Sequence, residues 1–154
     1  MDAVAYIDPE VIAFVNDNLV PLRIAAADPF LGPKFRIKWT PALLILESDG
    51  SEHYRTLGFY PPEELIPSLL LGMGKAYFDR ADRVLAGRMF LRVIEEFPES
   101  PLTPEAIYLN GVSSYIEGHD VGNLIGIYER LAADYPHSPW LTRADPYRLI
   151  KKPA

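Results

Sequence analysis

The pentapeptide Phe97-Pro98-Glu99-Ser100-Pro101 returns as Tyr135-Pro136-His137-Ser138-Pro139, a shift of 38 from position 97 to 135, and this recurrence constrains the chain more than any other feature. Under the same shift Tyr77 falls on Tyr115, Phe90 on Tyr128 and Val93 on Leu131. The small residues are kept less well. Ala86 falls on Leu124, and Gly111 stands one place from the position that Gly74 implies. Around the recurring positions the apolar period is helical: Ile66, Leu69, Leu70, Met73 and Tyr77 share one face, and Ala86, Met89, Phe90, Val93 and Phe97 share the next. One such unit cannot bury its apolar face alone, so the repeat predicts helical pairs that stack on one another. Trp140 to Ile150 is expected to close the stack as a capping helix, with Trp140 as a core plug.

The totals bound the classes of partner. A chain of 154 residues, 49% hydrophobic, can bury about 70% of its unfolded surface in one good core or two small ones. Its net charge of -6 supplies no basic field for nucleic acid or an anionic membrane, which leaves a protein or peptide as the expected partner. No apolar run of about 18 residues occurs, and the N-terminus shows no basic segment leading into an apolar one, so the reading is cytoplasmic, neither membrane-spanning nor secreted. Cysteine is absent, which excludes disulfides, thiolate zinc sites and cysteine nucleophiles together.

Ahead of the repeat, Asp8-Pro9-Glu10 is a helix start: a capping acid, a proline at the first helical position and an acid in the first turn. The helix carries Val11, Phe14 and Val15 on one face to about Asn18. Leu19 to Ala26 reads as a strand, placed at an edge or offering only its later part because Pro21 has no N–H for a ladder. Asp28-Pro29 and Gly32-Pro33 break the chain around a short helical turn. Ala42 to Leu46 has no polar interruption and reads as a strand covered on both faces. Ser48-Asp49-Gly50 supplies turn residues, and His53 to Leu57 is the antiparallel partner. Spacing alone favours an ordinary trans bond before Pro41.

Two resemblances follow from these residues. The order of VPLRIAAAD, FRIKWTP, ALLIL, SDG and YRTLGFYPPEEL over roughly Asp2 to Leu71 resembles the later three quarters of a thioredoxin-like domain, with Thr40-Pro41 and Gly58-Phe59-Tyr60-Pro61 as its most specific part. The resemblance implies that Pro41 is the family's cis-proline and that the Trp39 to Pro41 loop touches extended peptide backbone. It also implies a first strand and a Cys-x-x-Cys, which this chain does not contain. Gly74, Tyr77, Ala86, Phe90 and Pro98 match the tetratricopeptide pattern, whose arrays hold peptides in a groove. The expectation is thus an α+β chain. Residues 1–66 form a truncated, cysteine-free thioredoxin-like unit with a three-stranded mixed sheet and helices, in which Leu19 to Ala26 pairs with Ala42 to Leu46 in parallel or another chain supplies the contact. Residues 67–154 form an all-α tetratricopeptide-like helical hairpin array with its cap. A homo-oligomer that completes the sheet is a second class of partner.

Candidate chemistry is sparse. His53, His119 and His137 have no second ligand at metal spacing, and Gly72-Met73-Gly74 lacks the strand and Lys-Ser/Thr of a phosphate loop, so no metal or cofactor is expected. Glu63-Glu64 suits a helix N-terminus, and Glu96 stands four residues after Arg92 on a solvated face. Ser113-Ser114 has neither a nucleophile elbow nor a base near it in sequence. Arg80, Arg83, Arg88 and Arg92 gather on the first helical pair, where arginines can grip a carboxylate by two hydrogen bonds. The reading is a non-catalytic protein-interaction module, with Trp39, Thr40, Pro41 and the four arginines as peptide-contact candidates. Its alternative is a fragment, or a misplaced start, of a thiol-disulfide oxidoreductase, separable by whether the DNA before Met1 encodes an in-frame strand and Cys-x-x-Cys.

Overall fold

The computed structural model describes residues 4–151, and its chain divides into two compact units, Met1–Leu69 and Leu70–Ala154. The first unit opens with a short 3-10 turn, Ala5–Ile7, and helix α1, Pro9–Asn18. The Asp8 carboxylate accepts hydrogen bonds from the Glu10 and Val11 amides, satisfying two of the donors a helix start leaves free. Val11 and Phe14 are the residues α1 buries. Helix α2 is a single turn, Leu31–Lys34, whose approach is fixed by Asp28 accepting from the Phe30 and Leu31 amides.

Strands β1, Ala42–Leu46, and β2, Glu52–Leu57, pair antiparallel in a register that sets Ala42 against Leu57 and Ile45 against Tyr54. The Asp49 carboxylate accepts from the Ser51 amide at 2.7 Å, and Gly50 takes a φ of 86°, which a side chain would resist. These local bonds close the turn, and a register shift between Ile45 and Leu46 absorbs its odd length. Arg55 reaches Glu52 through two hydrogen bonds of 2.7 and 2.6 Å and the Phe35 carbonyl through a third. The Tyr54 hydroxyl meets Ser68 Oγ at 3.2 Å, tying β2 to the first half of helix α3, Pro62–Asp79. The Thr40–Pro41 bond is cis, which spacing alone did not favour.

The three-stranded mixed sheet is not present: among the described residues the sheet consists of β1 and β2 alone. Leu19 to Ala26 forms no strand and does not pair with β1 in parallel. The cause is visible in the residues. Pro21 lacks the N–H a ladder needs, and Val20 and Leu22, at 96% and 76% exposure, have no packed layer to face.

The second unit is helical. After α3 come α4, Arg83–Glu96; α5, Thr103–Gly118; α6, Val121–Asp134; and α7, Pro139–Ala144, followed by a 3-10 segment, Asp145–Leu149. The 38-residue shift carries α4 onto α6 end for end, since 83 becomes 121 and 96 becomes 134. It also carries the details of the joints. Asp82 and Asp120 cap the two helices, each accepting from a backbone amide of the first turn. Ala81 and His119, one residue earlier, take φ of 63° and 53°. Ser100 and Ser138 accept from the amides two residues on, both at 3.2 Å.

Close helix packing explains Gly74 and Gly111. A Cβ on Gly74 would lie 2.4 Å from the Phe90 ring, and one on Gly111 would lie 2.2 Å from Ile127 Cγ1. Each glycine meets a partner 16 residues on, from 74 to 90 and from 111 to 127, so the second contact is the first displaced by one position. Lys75 and Glu105, 2.5 Å apart and largely buried, tie α3 to α5. The expected single capping helix is two short pieces, because Pro146 removes a helical donor and crowds the preceding turn. Trp140 is half-buried rather than a core plug: it tilts against Tyr108 at 5.2 Å while Arg143 covers its ring at 4.4 Å.

A candidate groove between two helices

The two groups of candidate residues fall in different units. Trp39 and Thr40 are exposed and Pro41 half-buried; the Pro41 carbonyl accepts from the Gly58 amide at 2.9 Å. Trp39 and Phe59 flank that bond, 68% and 56% exposed, so this end of the hairpin presents two aromatic rings to solvent.

The four arginines do not act together. Arg80 lies over the Tyr77 ring at 5.9 Å. Arg83 donates to the Phe78 carbonyl and stacks 3.9 Å from the Phe78 ring. Arg92 holds Glu96 through two hydrogen bonds of 2.6 and 3.1 Å, and this carboxylate raises the guanidinium's pKa above its usual value. Arg88 makes neither an ion pair nor a hydrogen bond with its side chain among the described residues.

Arg83 and Arg88 line a groove of about 230 Å³ between α4 and α5. Helix α4 contributes Arg83, Val84, Gly87, Arg88 and Leu91; α5 contributes Asn110, Ser113, Ser114 and Glu117. On α5 the spacing is i, i+3, i+4, i+7, and on α4 the same spacing runs from Val84 to Leu91, so each helix turns one continuous face to the groove. Gly87 opens the floor: a Cβ there would sit 3.5 Å from Asn110 Oδ1, an ordinary contact, so a side chain can start from this position on the groove lining without a clash at Cβ.

The walls differ in chemistry. Val84 and Leu91 leave apolar surface on α4, being 55% and 39% exposed. On α5, Ser114 is spent on the Asn110 carbonyl. The Asn110 amide and the Glu117 carboxylate have no side-chain partner among the described residues, and the buried Ser113 hydroxyl has none either. Such an orphan costs about 1–3 kcal/mol and calls for a reason. The volume lies below the roughly 300–1,000 Å³ of small-molecule sites and suits one or two side chains of a larger ligand.

Sequence reasoning reached Arg83 and Arg88 and missed Asn110, Ser113 and Glu117. The polar i, i+3, i+7 face of α5 was the available signal, yet nothing in the chain order says that it faces Val84 and Gly87. Among the described residues no group of three His, Asp or Glu side chains is placed to hold a metal. No helix among them is long and apolar enough to cross a membrane. With no cysteine in its 154 residues, the chain cannot perform thiol-disulfide exchange. Comparison with protein-family models, curated proteins and solved structures finds no match for this chain.

Proposed function

We propose that the chain is a non-catalytic protein-interaction module that takes an extended peptide segment into the groove between α4 and α5. The carrying observation is the set of groups that the chain leaves unused around one concave volume: the Arg88 guanidinium, the Asn110 amide and the Glu117 carboxylate. A peptide backbone offers both donors and acceptors to such a wall, and its side chains can lie on Val84 and Leu91. The 38-residue correspondence of α4 with α6 supports reading the unit as tetratricopeptide-like helical pairs, a scaffold whose inter-helix surfaces are suited to extended ligands. In the same reading the thioredoxin-like first unit is redox-inactive, and the exposed Trp39 and Phe59 make it a secondary contact surface.

The test is binding of the full chain to an array of immobilised octapeptides, beside a Gly87→Leu variant whose side chain fills the groove. The wild type is expected to retain a subset of peptides that the variant loses by at least tenfold. Equal retention by both proteins contradicts the proposal.

A further inference from the structure

We propose that the groove selects a peptide with an acidic and a basic side chain about three residues apart, the acid at Arg88 and the base at Glu117. This rests on the reading of the groove as a docking site and adds the chemistry of its ligand.

The two helices follow one another through the short connection 97–102 and run antiparallel, with Gly87 opposite Asn110. Arg88 therefore stands at the level of Asn110, while Glu117 lies seven residues further along α5. At 1.5 Å per residue that separation is roughly 10 Å. An extended chain rises about 3.3 Å per residue, so about three residues bridge the two ends. The ends carry opposite charges that the chain itself does not neutralise, because neither Arg88 nor Glu117 has an ion-pair partner among the described residues. Arg83 also lines the Glu117 end, but its guanidinium is held on the Phe78 carbonyl and ring. Between the ends, Val84 offers apolar contact, and Leu91 extends that surface past Arg88. A ligand with one charge, or with two of the same sign, leaves one end of the groove unpaired.

The experiment uses the full chain and octapeptides in a Gly/Ala/Ser background carrying Glu and Lys in every order and spacing, with Glu-Glu and Lys-Lys sets alongside. Wild type is expected to favour the mixed peptides at a spacing of three by about tenfold. Arg88→Glu, which makes both ends acidic, is expected to shift the preference to Lys-Lys, and Glu117→Arg to shift it to Glu-Glu. Both side chains are exposed, and circular dichroism confirms that the variants keep their helices. If all three proteins retain the same peptides while Gly87→Leu loses them, the groove binds and the charge selection is wrong. If Gly87→Leu retains them too, the docking reading fails with it. Absence of binding by the wild type across the array overturns both.

Discussion

In the helical unit Phe90, Val93 and Leu131 are sealed from water, whereas the first unit leaves Val20, Phe30 and Trp39 largely exposed. The difference follows from how each unit finds partners for its apolar groups. Stacked helical pairs supply a facing surface at each step, and the contact made by Gly74 with Phe90 is made again by Gly111 with Ile127. A two-stranded sheet offers far less surface, and one hairpin with two short helices cannot enclose every large side chain around it. What the comparison teaches is where sequence change will be felt.

The largest expected contrast sets one buried aromatic against one exposed aromatic. Phe90→Ala empties a fully buried ring site and should cost about 3–5 kcal/mol. Trp39→Ala, at 68% exposure, should change stability by no more than about 0.5 kcal/mol. Urea unfolding followed by far-ultraviolet dichroism measures both. Equal losses would mean that the two units do not differ in the way their burial describes.

A smaller contrast lies within the helical unit, between two glycines on facing helices. Gly74→Ala forces a Cβ into the Phe90 ring and is expected to cost about 1–3 kcal/mol, because a buried ring has little room to yield. Gly87→Ala meets only Asn110 Oδ1 at an ordinary distance, so removing backbone freedom from the unfolded chain should stabilise by about 0.4–1 kcal/mol. Thermal melts that moved in the same direction for both would contradict the packing assigned to them.

These contrasts also explain what could be read in advance. Recurring residues exposed the helical repeat because each helix takes its start, stop and inner face from neighbours in sequence, as Asp82 and Asp120 do. The hairpin was legible for the same local reason, through Asp49 and Gly50. Leu19 to Ala26 was not: its pattern suits a strand, but a strand exists only if another edge receives it, and Pro21 weakens even that. The break at Pro146 was available in the sequence and outweighed by the expectation of one closing helix. The groove was half legible. Arg83 and Arg88 stood out as charges, while Asn110, Ser113 and Glu117 acquire meaning only when α5 lies antiparallel on α4.

The smallest expected effect concerns the aromatic cap of α5. Burial, then the hydrogen bond it shares with Tyr108 at 2.9 Å, which holds the neutral phenol, push the Tyr147 pKa from 10.0 up to about 12. A folded-state pKa above the unfolded one gives stability that is fully present below about pH 10 and is lost as pH rises toward 12. Urea melts from pH 8 to 11.5 should therefore show a steeper loss above pH 10 in the wild type than in Tyr147→Phe. Parallel curves would remove Tyr147 from the account of the cap.

Binding in the groove is the central claim, and amide chemical-shift mapping of the full chain against an array-selected octapeptide tests it most directly. The predicted result is a cluster of shifted amides over 83–91 and 110–117, saturating with peptide and absent in Gly87→Leu. Shifts confined to the Trp39 to Pro41 loop, or a pattern unchanged by Gly87→Leu, would contradict it.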